Sequence, residues 1–433
     1  MCLLFFSILL PTAPQAILTT ISVLTYLFCK GWKDVWSKSS PKPGIQSVGL
    51  NILLWFLVMS LGIHLLSFGI DLSQADADSQ SAVIKNHLRL IGKQGLWGFF
   101  LISFMSWVTL RGFRLASIQK PLCCMVAFLV AYMLIQRYTG IDFVQGFDAK
   151  ISDERYSDGV YRVAGFIAHP LTFGFNSGMF VILCLGIGLL GKYENIKPKL
   201  WLLTSALGFV CLLLSQSRAP LVFTMLAAVV LLSRQAKIRQ ISLGKKLLAL
   251  VIVTGSAAFF VQNRMSELWA QDRPLVEAIP RVAFLDVHWQ MFVDHPLTGV
   301  GYSKRVDTAL EYYESMGYTN LERKYSAHNI YVQTLADSGL LGALGLVLKI
   351  AGVFVVGVFL LQISNSWLLL SLLLYGLISG LTQNTMRDSE FMYAFWFCFG
   401  IVLNSIWEKK FATRSQIENL KSGTDRTHRQ KDV

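Results

Sequence analysis

The chain has 433 residues, 54% of them hydrophobic and only 15% charged, with 39 Lys and Arg against 26 Asp and Glu for a formal net charge of +13. Apolar residues this abundant, gathered in runs of membrane-spanning length, exclude a soluble globular domain and predict an all-α polytopic membrane protein embedded in the lipid bilayer. The positive charge would suit nucleic acid, but it falls in alternate loops between the apolar runs. It is therefore a topology signal, and no nucleic acid partner is expected.

In chain order, the apolar segment Met1 to Cys29 is broken by Pro11 and Pro14 and has no basic leader. That pattern predicts a short helical hairpin in preference to a cleaved signal peptide, with a single helix as the open alternative. Apolar spans follow at 48–70, 92–110, 121–139, 170–190, 200–217, 219–232, 246–261, 329–362, 367–383 and 391–407. Together these predict about twelve membrane helices and a long, partly helical outer loop. The resulting organisation is N-terminal membrane helices over 1–139, an outer loop over 140–169, central helices over 170–261, a large outer loop over 262–327, C-terminal helices over 328–407 and a polar tail over 408–433. All seven cysteines lie in or beside the apolar runs, which favours packing over a disulfide framework or a zinc site.

Basic residues cluster from Lys30 to Lys42, Arg111 to Lys120, Lys192 to Lys199, Arg234 to Lys246 and Lys409 to Lys431. Every second loop is basic, so these face the cytoplasm, and the loops 71–91, 140–169 and 262–327 face outward. The tail after Trp407, polar and mixed in charge, is expected to be disordered and cytoplasmic.

This topology gathers candidate residues on the outer side. Arg218, in Ser215-Gln216-Ser217-Arg218-Ala219-Pro220, sits at the outer turn between two short spans. An arginine at membrane depth needs an anionic partner or water, although snorkelling to the interface is the ordinary alternative. Downstream of Pro280, Arg281 to Val293 reads as a short amphipathic helix that either caps the bundle or holds Arg281 at the lipid headgroup level. His295-Pro296 and Gly299-Val300-Gly301 read as the turn returning the chain, with His295 more a turn residue than a ligand contact. His328-Asn329 stands at the start of the next long helix, where unpaired N–H groups favour anions. Asn329, Gln333 and Asp337 then recur every four residues, a polar stripe facing the bundle interior.

The ordered set Ser217-Arg218, Arg281 with Trp289, His295-Pro296-Leu297-Thr298-Gly299-Val300-Gly301, and His328-Asn329-Ile330-Tyr331 with Gly339 and Gly342 resembles the O-antigen ligase and Wzy-type polymerase superfamily. Tyr161-Arg162-Val163-Ala164-Gly165-Phe166 with His169-Pro170 resembles an earlier outer-loop motif of that group. One departure is Trp289, eight residues after Arg281, where many relatives place the tryptophan nearer.

The resemblance implies a metal-independent, cofactor-free glycosyltransferase of the bacterial inner membrane with its active site facing the periplasm. The donor would be an undecaprenyl-diphosphate-linked glycan, and the acceptor a hydroxyl of lipid A core, which is favoured, or of a growing glycan. Arg218 and Arg281 would neutralise the diphosphate and His328 would take the acceptor proton. Arg162, Asn329, His295 and Arg387 are secondary substrate-binding candidates. Two rivals remain: a metal-dependent membrane glycosyltransferase using the Asp76-Ala77-Asp78 pair, and a transporter of lipid-linked sugars with arginines lining its path.

Overall fold

The computed structural model describes residues 2–10, 12–36, 45–75, 77, 79–91, 97–110, 114–144, 156–157, 160–167, 169–190, 196–233, 280–318, 326–364 and 367–403. Within them the chain is helical: α1 (Cys2–Phe6), α2 (Thr12–Phe28), α3 (Gly31–Trp36), α4 (Ile45–Ser73), α5 (Gln80–Ile91), α6 (Trp97–Leu110), α7 (Gln119–Thr139), α8 (Pro170–Leu190), α9 (Pro198–Leu214), α10 (Arg218–Ser233), α11 (Pro280–Asp294), α12 (Arg305–Ser315), α13 (Ile330–Ser364) and α14 (Trp367–Ser379), then α15 (Ser389–Leu403). One departure from an all-helical chain is a small hairpin, β1 (Tyr156–Ser157) against β2 (Val160–Tyr161), with Tyr156 opposite Tyr161. It lies in the segment read as an outer loop, where two extended residues on each side satisfy each other's backbone groups.

Sequence punctuation sets the helix starts. Proline, whose missing N–H costs nothing at a first helical position, opens α8, α9 and α11. Gly140 closes α7 in the left-handed conformation, its N–H returning to the Gln136 carbonyl. Four helices among the described residues are long and apolar enough to cross a membrane: 51–73, 119–139, 170–189 and 330–358. Shorter apolar helices cover 15–28, 198–214, 218–233, 367–379 and 389–403, while the expected span 246–261 lies outside the described residues.

Helix α8 is the axis of the bundle, with 89% of its apolar window buried. It packs on α9, α10 and α14, and α7 packs on α9. Tyr375 of α14 donates to the Phe175 carbonyl of α8 across 2.8 Å, and Ser205 of α9 to the Val181 carbonyl at 3.0 Å, so even this apolar core is pinned by satisfied polar groups. A second sheet of contacts joins α4 to α13 and α13 to α11.

Helix α13 is broken inside its length. Gly339 has φ 59° and ψ −156°, a conformation essentially reserved for glycine. The break releases helical backbone partners, and the Pro296–Gly301 turn takes them up. Val300 N–H donates to the Ala336 carbonyl at 3.0 Å and Gly301 N–H to that of Asp337 at 3.1 Å, while Leu340 and Leu341 N–H donate back to Pro296 and Leu297 at 2.9 and 3.2 Å. The approach is so close that a Cβ on Gly299 would run into the Asp337–Ser338 peptide, and one on Gly339 into Leu297 and Thr298.

Replacing Gly339 or Gly299 by Ala therefore imposes both a forbidden dihedral and a backbone collision. Each should cost about 2–5 kcal/mol of stability. Gly62→Ala, in α4 with nothing within 4 Å of the added methyl, should be neutral or slightly stabilising. Thermal unfolding of the purified variants reads this, and a wild-type midpoint for Gly339→Ala would mean that the clasp contributes nothing.

Candidate functional site

The chain enters α13 through His328, whose φ of +48° lies in the left-handed region. A histidine held there is strained, a feature that concentrates at functional positions. The expectation of an anion site on the bare helix start is corrected by the hydrogen bonds. Ile330 N–H donates to the Gly380 carbonyl at 2.9 Å, Tyr331 and Val332 N–H donate to Asn329 Oδ1 at 3.0 and 3.2 Å, and Gln333 N–H donates to the Asn329 carbonyl at 2.9 Å. Asn329 is the cap of the helix, and its Nδ2 reaches the Leu381 carbonyl at 3.3 Å. The first-turn donors are spent inside the protein.

The His328 imidazole is half-buried beside Phe284, ring centroids 5.8 Å apart. Its Nδ1 lies 2.7 Å from Gln383 Oε1, so the ring donates there and carries its lone pair on Nε2. Burial pulls the imidazole below its ordinary pKa; the Gln383 bond works against this, and the charge of Arg281 adds to the lowering. Arg281, exposed in the first turn of α11, is thus close enough for its charge to reach His328.

Behind His328 lies a set of groups of which the sequence had aligned only Gln333 and Asp337. Asp337, fully buried, is paired with Arg387, accepts from Gln333 Nε2 at 2.8 Å, and lies 3.8 Å from Arg305 Nη1. Gln333 Oε1 in turn accepts from Ala327 N–H at 2.7 Å, tying the stripe to the residue before His328. The guanidinium groups of Arg305 and Arg387 lie 4.1 and 5.3 Å from the centre of the Tyr302 ring. His288, on the buried face of α11 formed by Ala283, Phe284, Val287 and Met291, binds the Phe284 carbonyl through Nδ1 at 2.7 Å. Burial lowers its pKa, opposed by Asp337 and reinforced by Arg387 and His328, which places all three within its electrostatic reach. The signal for His288 was its helical spacing on the apolar face; Gln383 carried none because its partner His328 is distant in sequence, and Tyr302 and Arg305, three residues apart, meet in a turn that no periodic pattern marks.

Tyr302 is held from the other side as well. Its N–H donates to Asp71 Oδ2 of α4 at 2.9 Å, and the same oxygen accepts from His87 Nε2 of α5 at 2.8 Å, both side chains being buried.

Arg218 and Arg162 form a separate group. Arg218 is exposed at the first residue of α10, whose contacts run to α14 and α8. Arg162 Nη2 donates to Ser217 Oγ at 3.2 Å, and Ser217 Oγ donates to the Pro170 carbonyl at 3.0 Å. Thr172 Oγ1, in the first turn of α8, donates to Asp388 Oδ2 at 2.9 Å, next to Arg387. Both groups therefore stand at one end of the bundle. His295 is exposed where α11 ends, and its carbonyl accepts from Gly299 N–H at 2.9 Å, a turn role. Asp76 and Asp78 lie outside the described residues.

Comparison with known proteins gives one assignment: residues 203–347 match the family model Wzy_C, described as O-antigen ligase. The matched segment contains Arg218, Arg281, His295 and His328, and over those residues it agrees with the resemblance drawn from the motifs. No curated protein matches the chain.

Because the His328 pKa is lowered, its Nε2 should be unprotonated at neutral pH and gain its proton only below the ordinary imidazole value of about 6.5. The rate of diethyl pyrocarbonate modification of the His328 peptide, followed by mass spectrometry against pH, reports that midpoint. Gln383→Glu should move it upward, since a carboxylate stabilises the imidazolium. A wild-type midpoint above the ordinary value would contradict the electrostatic account.

Proposed function

Since residues 203–347 carry an O-antigen ligase domain, we propose that this multi-pass membrane protein transfers a glycan from undecaprenyl diphosphate to an acceptor hydroxyl at the periplasmic face of the inner membrane. The single observation that carries the reading is the His328 imidazole, held by Gln383 with its lone pair on Nε2 and its pKa lowered, within reach of the Arg281 charge. In the proposed reaction the acceptor hydroxyl gives its proton to His328 Nε2 as its oxygen attacks the anomeric carbon. The bond from that carbon to the diphosphate oxygen breaks, and the electron pair leaves with the lipid diphosphate. A diphosphate is already a good leaving group, so charge neutralisation replaces general-acid help. Arg281 supplies it beside the base, and Arg218, with Arg162 bound to the neighbouring Ser217, supplies it from the start of α10.

The described site is built from helix ends and the turns between them, which supports transfer chemistry over a transport path. In this proposal the site lies at the periplasmic ends of about twelve membrane helices, with 262–327 as the periplasmic loop and 408–433 as a cytoplasmic tail. The remaining boundaries, 1–139, 140–169, 170–261 and 328–407, follow from the same alternation of basic loops.

Transfer by purified protein from a lipid-linked donor tests the chemistry. His328→Ala should slow it by roughly 10² to 10⁴, and Arg281→Lys should remove most activity while the protein still folds, because a point charge cannot replace a planar fork of donors. Normal turnover in both variants would sink the assignment.

Orientation is tested by impermeant thiol labelling in a cysteine-free background. Tyr313 is fully buried and unsuitable, whereas Glu314 is exposed. Glu314→Cys should label in intact spheroplasts and Ser415→Cys only after permeabilisation; the reverse pattern would turn the site to the wrong face.

A further inference from the structure

Arg305 opens α12, at the end of a helix where the dipole disfavours a cation. Asp307 in the same turn relieves this only in part, because its side chain is exposed. The arginine is nevertheless turned inward, its guanidinium over the Tyr302 ring at 4.1 Å, with Arg387 near the same ring at 5.3 Å. The nearby carboxylate does not satisfy both. Asp337 commits Oδ2 to Arg387 and Oδ1 to Gln333, and Arg305 Nη1 stays 3.8 Å away. That Nη1 is buried and makes no hydrogen bond. Its contact with Asp337 is a long ion pair without hydrogen-bond geometry, so Nη1 keeps donor capacity beside a second guanidinium, where a further acceptor would satisfy it. His288 adds a ring within electrostatic reach of Arg387 and His328, joining this place to the proposed base.

We propose that Arg305, backed by Arg387 and the face of Tyr302, is an anion seat that takes a phosphate-type group of a substrate bound at the His328 site. The seat rests on the glycan-transfer reading for its purpose but not for its existence. Its anion comes either from the donor diphosphate or from a phosphate on the acceptor. Planar donors stacked on an aromatic ring present a fixed fork to such a group, which lysine does not reproduce.

The test uses the full chain in phosphatidylcholine nanodiscs, titrated calorimetrically with inorganic pyrophosphate and inorganic phosphate. Arg305→Gln should weaken pyrophosphate binding about tenfold or more, and Arg305→Lys should restore only part of it. An unchanged elution profile and melting temperature establish that both variants fold. In the transfer assay, a raised donor KM in Arg305→Gln identifies the seat with the donor diphosphate, and a raised acceptor KM identifies it with an acceptor phosphate. If the wild type transfers no glycan yet its pyrophosphate binding still depends on Arg305, the functional reading falls and the seat stands. Pyrophosphate and phosphate binding equal to wild type in folded Arg305→Gln, with both KM values unchanged, overturns the proposal.

Discussion

The break at Gly339 is the constraint from which the site's geometry follows. An interrupted helix in an apolar bundle exposes backbone donors and acceptors that lipid cannot satisfy, each worth several kcal/mol if left unmet. Here the Pro296–Gly301 turn meets them through four backbone hydrogen bonds, and it can approach only because Gly299 and Gly339 lack side chains. Once the turn is seated, Tyr302 follows by one residue. Its N–H reaches Asp71, and its ring underlies Arg305 and Arg387. The same break leaves Asp337 facing those arginines, so backbone satisfaction in one place fixes the charged groups in another.

The local grammar of the chain was legible where a single residue decides. The span read as 170–190 is α8, Pro170–Leu190, and the amphipathic segment Arg281–Val293 lies within α11, because proline at a first helical position is a strong start signal. Gly339 was noted as part of a motif, but a glycine in an apolar run reads as a tolerated weakness. Nothing local says that it will adopt φ 59°, since that depends on a turn some forty residues earlier supplying the missing partners. The charged site divided along the same line. His328 stood out by its place before a helix, whereas its partner Gln383 is 55 residues away and invisible to any pattern. Asn329 shows the limit from the other side: its position suggested an open anion site, yet its short side chain caps the helix it precedes.

Electrostatics then separates the arginines by task. Asp337 is fully buried, and an isolated carboxylate there would be far too costly, so its pairing with Arg387 is a condition of folding before it is anything else. Removing Arg387 leaves buried Asp337 with only Gln333 and the longer pair to Arg305, and removing Asp337 leaves Arg387 without its carboxylate. Arg387 is thereby bound to a structural duty, and its position on the last turn before α15 ties that turn to the broken helix. Arg281 carries no comparable obligation, and Arg305 adds only the longer ion pair to Asp337 at 3.8 Å. Arg281 is exposed and acts on His328 through its field, while Arg305 is held over Tyr302 with a donor unspent.

A site with one saturated carboxylate and several guanidinium groups is set to receive negative charge, and the low dielectric around it strengthens that attraction. Burial lowers the His328 pKa against the Gln383 hydrogen bond, and the Arg281 charge adds to the lowering. On the proposed reading, an anion bound there would screen the Arg281 charge at the imidazole and make the ring a better proton acceptor. Binding and basicity would then be coupled through charge, on top of the lowering that burial already imposes.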